Sequence, residues 1–252
     1  MPALAPGVDT ITALGLMTLS FITSLITATF SLGGGSLMIS AMALILPPVV
    51  VVPVHGCIQF GSNVGRAWVQ RAHIQWRYIL WVSLGALVGS IVGGRLAFVL
   101  PEKWFTLAIG VFVLVTTWMP TPRALTESRA AQFVGGTIVS AVGMVVGAAG
   151  PLLAAFIRGI PDRRQLVATH AMLNSLQHAI KIVVFATMGF VFRDYLPLIA
   201  LMVAAGFVGT TVGSRLLTRV PERVFRLTFR LLLSSVALGL IREALVAAPP
   251  AH

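Results

Sequence analysis

THAMLNSLQHAIK, residues 169–181, sets two histidines, an asparagine, a glutamine and a lysine in a stretch flanked by LVA and IVVFATMGF. Successive side chains of an α-helix turn by about 100°. His170, Asn174, Gln177, His178 and Lys181 stand at i, i+4, i+7, i+8 and i+11, so they share one narrow arc. A helix that is apolar except for one polar stripe fits a membrane, with the stripe turned to the bundle interior or a wet cavity.

The rest of the chain agrees with a membrane setting. Of its 252 residues, 57% are hydrophobic and only 10% charged, where a soluble domain carries about a quarter charged residues. Crossing the hydrocarbon takes about 20 apolar residues. Runs near that length fall at 11–31, 49–70, 78–100, 104–119, 130–148, 165–190, 195–217 and 225–246. Two half-length runs fall at 36–46 and 150–160. None alternates in polarity as barrel strands do. The expected fold is an all-α polytopic membrane protein, a single integral membrane domain over 1–252. MPALAPGVDT at the N-terminus carries no Lys or Arg, so the first run is expected to be a retained helix rather than a signal peptide. The one cysteine, Cys57, forms no internal disulfide.

The net charge of +11 would suggest nucleic acid in a soluble protein, but here its distribution is what matters, and no nucleic-acid partner is expected. Arg66, Arg71 and Arg77 cluster around one loop, and Arg123 and Arg129 around a second. Arg158, Arg163 and Arg164 cluster around a third, and Arg215, Arg219, Arg223, Arg226 and Arg230 around a fourth. Basic loops face the cytoplasm. All four share that side if 49–70 runs outside to inside, 165–190 runs the opposite way, and both termini lie outside.

The chain also repeats itself. GSIVGGRLAFVLPEKWF (89–105) and GTTVGSRLLTRVPERVF (209–225) share eight of seventeen residues at an offset of 120. At an offset of 115, His55 meets His170, Gln59 meets Asn174, Asn63 meets His178 and Arg66 meets Lys181. His55, Gln59, Ser62, Asn63 and Arg66 therefore form a second stripe with the spacing of the first. The expected repeats are 10–119 and 130–246, each a Gly-broken helix and half-helix followed by three transmembrane helices. Because 49–70 and 165–190 cross in opposite senses, the repeats are of inverted topology, a transporter architecture.

Gly33, Gly34 and Gly35 break the first repeat, and Gly147 and Gly150 the second. Ser36 is the expected N-cap of the first half-helix, and Pro151 stands at the expected start of the second. A half-helix of 11 residues rises about 16 Å, half the bilayer, which puts both N-termini toward the midplane. Free backbone N–H groups and the positive dipole end there favour an anion.

All seven acids (Asp9, Glu102, Glu127, Asp162, Asp194, Glu222, Glu243) fall in loops or near helix ends. A membrane interior with cations, histidines and no carboxylate is suited to a small anionic substrate. The expected binding residues are Gly33, Gly34, Gly35, Ser36, His55, Gln59, Asn63, Gly147, Gly150, His170, Asn174, Gln177, His178 and Lys181. Arg66 stands near a helix end, where snorkelling to the interface is the expectation. His55, His170 and His178 lack a nearby carboxylate, so no metal and no cofactor are expected. No HExxH, paired intramembrane carboxylates or Ser-His-Asp set appears, so no enzymatic activity is expected. The other expected partners are the lipid bilayer and a second copy in a homodimer.

SLGGGSL and GAAGPLL at the breaks, VPVHGCIQFGSN and VATHAMLNSLQH on the striped helices, and GSIVGGRLAFVLP and GTTVGSRLLTRVP together resemble the TauE/SafE permeases over nearly the whole chain. The resemblance implies a bacterial inner-membrane protein that exports sulfite, sulfoacetate or a related organosulfonate. The residues by themselves imply a small anion carried by alternating access. They leave open a proton-coupled importer, a passive channel or, less readily, a membrane-embedded enzyme or assembly factor.

Overall fold

A computed structural model describes residues 4–30, 34–118, 128–157, 159–216 and 222–246. Ten α-helices follow one another, with no strand among the described residues. The first five are α1 Thr10–Phe30, α2 Gly34–Ala43, α3 Pro48–Val69, α4 Trp76–Val99 and α5 Glu102–Trp118. The second five are α6 Arg129–Val146, α7 Gly150–Phe156, α8 Arg163–Thr187, α9 Leu196–Leu216 and α10 Glu222–Val246. Helix starts follow recognisable chemistry. Asp9 accepts the Thr12 N–H at 2.7 Å, Ser128 accepts that of Ala131 at 3.0 Å, and Asp162 accepts those of Arg164 and Gln165. The N–H groups of Gln165 and Arg164 hold the Asp162 carboxyl below the usual carboxylate range. Pro48, which has no N–H to satisfy, opens α3.

The ten apolar runs expected from the sequence correspond to these ten helices, with three corrections at the breaks. α2 begins at Gly34, so Ser36 is its third residue and not its N-cap. α7 begins at Gly150, so Pro151 is its second residue. α7 also ends after 7 residues instead of the 11 expected, because the chain leaves the helix at Ile157, ahead of Gly159 and Pro161. Gly33, Arg123, Arg158 and Arg219 lie outside the described residues.

Four segments are both long enough and apolar enough to cross a bilayer: Thr10–Thr27, Trp76–Ala97, Arg129–Val146 and Phe192–Val212. α3 and α8 have the length, at 22 and 25 residues, but their polar stripes lower their apolar content. The protein is a multi-pass α-helical membrane protein. Its outward surface is apolar, as with Ile11 and Val49, while histidines, asparagines and Lys181 are buried. That inverts the soluble pattern, as lipid contact requires.

The packing fixes relative helix directions. A Cβ added at Gly85, Gly89 or Gly93 of α4 would run into the α6 backbone near Phe133, Thr137 and Ala141 in turn, so α4 and α6 are parallel. α1 and α9 form the matching seam: Gly209 meets the Phe21 backbone as Gly89 meets that of Thr137, and Ser20 Oγ donates to Met202 O at 2.6 Å. α5 and α10 are antiparallel, with Gly110 against Ala237 and Ile241 while Trp118 Nε1 donates to Ser234 Oγ at 2.8 Å. α3 and α8 cross antiparallel at the centre, His55 beside His178 with ring centroids 6.0 Å apart. α2 folds back along α1, its Gly34 against Thr23 and Thr27. α7 folds back along α6, with Ala149 near Gly143 and Phe156 against Gly135. Each short helix therefore reverses the direction of the helix before it.

One end of the bundle gathers four stacked cations: Arg71 on Trp68, Arg77 on Tyr78, Arg129 on Trp81 and Arg230 on Trp118. Arginine over an aromatic ring suits the headgroup layer.

The glycine seams yield a graded test. Gly89→Ala puts a methyl group into the Thr137 carbonyl and should destabilise the protein by about 1–3 kcal/mol. Gly239 faces open space, so Gly239→Ala should be neutral or stabilising by up to about 1 kcal/mol through helix propensity. Thermal unfolding in detergent reads both.

Candidate functional site

The site begins at the two breaks, at a depth where water is scarce. Gly35 and Gly150 stand in the first turns of α2 and α7, and histidines of α3 and α8 add a second donor to their carbonyls. His55 Nε2 meets Gly35 O at 3.1 Å, and His170 Nε2 meets Gly150 O at 3.0 Å. Both pairs are twenty residues apart in sequence, and the second is displaced from the first by 115 at each partner. A carbonyl only accepts, so Nε2 carries the hydrogen in both rings. His170 Nδ1 is then free to accept from Asn174 Nδ2 at 3.2 Å.

Lys181 completes the second break. Its Nζ donates to Gly143 O and Gly147 O, both at 2.8 Å, and its side chain is buried. These are carbonyls at the C-terminal end of α6, where the dipole is negative and a cation is favoured. Gly147 closes that helix at φ +78°, in the left-handed region that glycine reaches without strain. Gln177 turns toward α6 and donates to Ser140 Oγ at 2.9 Å.

A cavity of about 40 Å3 lies between the two breaks and the two striped helices. That holds about three waters at 10–15 Å3 apiece. α2 contributes Gly35 and Ser36, α3 contributes His55, Gln59 and Asn63, and the second half contributes Gly150, His170, Asn174 and His178. Nine of the residues expected at the site thus meet on one cavity. Gly34, Gly147, Gln177 and Lys181 do not line it: the first packs on α1, and the other three hold helices together. Four lining residues were not among those expected at the site: Thr27, Arg66, Ala148 and Pro151. Arg66 carried a signal, since it continues the α3 stripe in phase with Lys181 of α8. It lies half-buried on the cavity wall, where the sequence alone suggested an interface anchor.

Ser36 Oγ, His55 Nδ1 and His178 Nδ1 are buried and have no hydrogen-bond partner. No acid among the described residues lines the cavity. Among the described residues no cluster of three or more His, Cys, Asp or Glu is placed to hold a metal ion.

A multi-pass helical bundle with a small polar cavity between two breaks, lined by no carboxylate among the described residues, defines a class: an integral membrane protein with a polar interior. The family model of the sulfite exporter TauE/SafE matches residues 16–240, and the chain belongs to that family. The family is one of membrane transporters for sulfite and related sulfur anions. No curated protein and no solved structure matches the chain.

The Lys181 contacts make a structural prediction. Lys181→Met leaves the Gly147 carbonyl without this donor, while Gly143 O keeps the Gly147 N–H, and should lower stability by about 1.5–3 kcal/mol, the range for a hydrogen bond to a charged group. Thermal unfolding in detergent measures it, and an unfolding temperature equal to the wild type's would refute the clamp.

Proposed function

We propose that the protein is a secondary carrier that exports a small sulfur-containing anion, sulfite or an organosulfonate, across the bacterial inner membrane by alternating access. The anion sits between the two halves of the chain, beside the α2 N-terminus and the polar faces of α3 and α8. The observation that carries this reading is the duplicated brace, His55 on Gly35 and His170 on Gly150, around a cavity with no carboxylate among the described residues that line it.

The two halves, 10–119 and 130–246, act as inverted repeats. Two features of the packing support this. Exchanging the first five helices for the second five leaves the main pairings in place: α4 with α6 becomes α9 with α1, while α3 with α8 and α5 with α10 map onto themselves. α3 and α8, which correspond to each other, cross in opposite directions. A molecule built this way has two related conformations, each opening the cavity to one side.

Direction follows from charge. The end with the stacked arginines faces the cytoplasm, which puts both termini outside. The cavity extends from His55 and His178 at mid-helix toward Arg66 near that end, which supports a form open to the cytoplasm. An inside-negative potential contributes about 2.3 kcal/mol per 100 mV for each negative charge leaving the cell, so export needs no coupled ion.

Labelled sulfite in proteoliposomes tests the carrier. Flux should saturate and should be accelerated by unlabelled sulfite on the opposite side, and neither is expected of a channel. His55→Ala and His170→Ala, which remove equivalent braces, should each lower flux by about tenfold or more, equivalent to about 1.4 kcal/mol. Linear, unaccelerated flux would favour a channel.

A further inference from the structure

The cavity has two unlike walls. On the second-half wall, most hydrogen bonds are already made: His170 donates to Gly150 and accepts from Asn174, and Lys181 is held on carbonyls away from the cavity, which leaves His178 Nδ1 without a partner. On the first-half wall, three groups with hydrogens to donate are unpaired. Ser36 Oγ is buried, with the residue 4% exposed, and has no partner. It stands in the first turn of the ten-residue α2, where backbone N–H groups have no intrahelical acceptor. The Gln59 side chain lies against Gly35 and finds no hydrogen-bond partner among the described residues. The Arg66 guanidinium likewise has no acceptor among them, and it is the one Lys or Arg among the described residues that line the cavity.

We propose that the anion seat is one-sided, formed by Ser36, Gln59 and Arg66, and that the single guanidinium sets its charge class: a compact oxyanion with one negative charge. Hydrogen sulfite and short alkanesulfonates belong to that class, and dianions such as sulfate and sulfoacetate do not. This rests on the reading of the cavity as the transport site. Arginine stays charged and offers two parallel N–H groups to two oxygens of one headgroup. One bound monoanion neutralises it. The second charge of a dianion would stay uncompensated in a low-dielectric site with no further cation on the wall, and burying an unpaired charge is strongly unfavourable. Space for about three waters admits a headgroup and little more.

The test is competition against labelled sulfite uptake in proteoliposomes at one fixed pH. Methanesulfonate is a permanent monoanion, while sulfate and sulfoacetate are dianions. Methanesulfonate should inhibit at concentrations about tenfold or more below those needed of either dianion. Arg66→Gln should raise the KM for sulfite by about tenfold or more without shifting the unfolding temperature, and Arg66→Lys should recover part of the loss. Equal inhibition by sulfate and methanesulfonate would overturn the proposal, as would a folded Arg66→Gln protein with unchanged KM. If Arg66→Gln does not fold, the wild-type competition series decides by itself. Absence of any saturable sulfite flux would remove the transport reading and this proposal together. Saturable flux inhibited equally by dianions would remove only the proposal.

Discussion

Inside a bilayer, every backbone polar group must find its partner within the protein. The rest of the structure depends on how this chain meets that demand at its two breaks. A broken helix exposes carbonyls and N–H groups at depth, and side chains from a neighbouring helix must answer them. Lys181 does so at the Gly147 carbonyl, and His55 and His170 add bonds to the Gly35 and Gly150 carbonyls, which ties α3 and α8 to the breaks. The cavity is what remains between those ties. Its polar lining follows from the same need, since residues that reach the breaks also face the space between them.

The two halves share a plan but differ in detail, and the differences bear on chemistry. α2 has ten residues and α7 has seven. Lys181 and Arg66 occupy equivalent places on their stripes, yet one is spent on the end of α6 and the other lies on the cavity wall. A cation held by two carbonyls stabilises a fold, while a cation with no acceptor beside it attracts an anion. A pair of related positions has thus divided into a structural role and a recognition role. With no acid among the described residues of the lining, the guanidinium is the charge on the wall that favours an anion.

Much of the fold was legible in the sequence, because membrane spans are set by length and apolar content. The eight long runs and two short ones correspond to the ten helices, and Gly89, Gly93 and Gly209 mark close seams between them. The stripes were legible too, because polar residues in phase on an apolar helix have few places to go. Helix ends at the breaks were harder to place. Ser36 and Pro151 have the chemistry of helix starts, but glycine can enter a helix as readily as end one, and it did so at Gly34 and Gly150. The division of labour within a stripe could not be read from phase alone. Lys181, Gln177 and His178 share one arc, and only the position of α6 decides that the first two bond to its carbonyls and hydroxyl while His178 borders the cavity. Arg66 was hard to place for a related reason: depth along α3 suggested the interface, and the cavity lining also extends that far.

The most direct measurement of the central claim, that this cavity is the anion seat, is a crystal structure with hydrogen selenite, the heavier congener of hydrogen sulfite, located by the anomalous scattering of selenium. The account predicts one peak within hydrogen-bond reach of Ser36 Oγ and the Arg66 guanidinium, with the His55 and His170 rings still on the Gly35 and Gly150 carbonyls. A peak on Lys181, a peak outside the cavity, or an empty cavity at saturating selenite would contradict it.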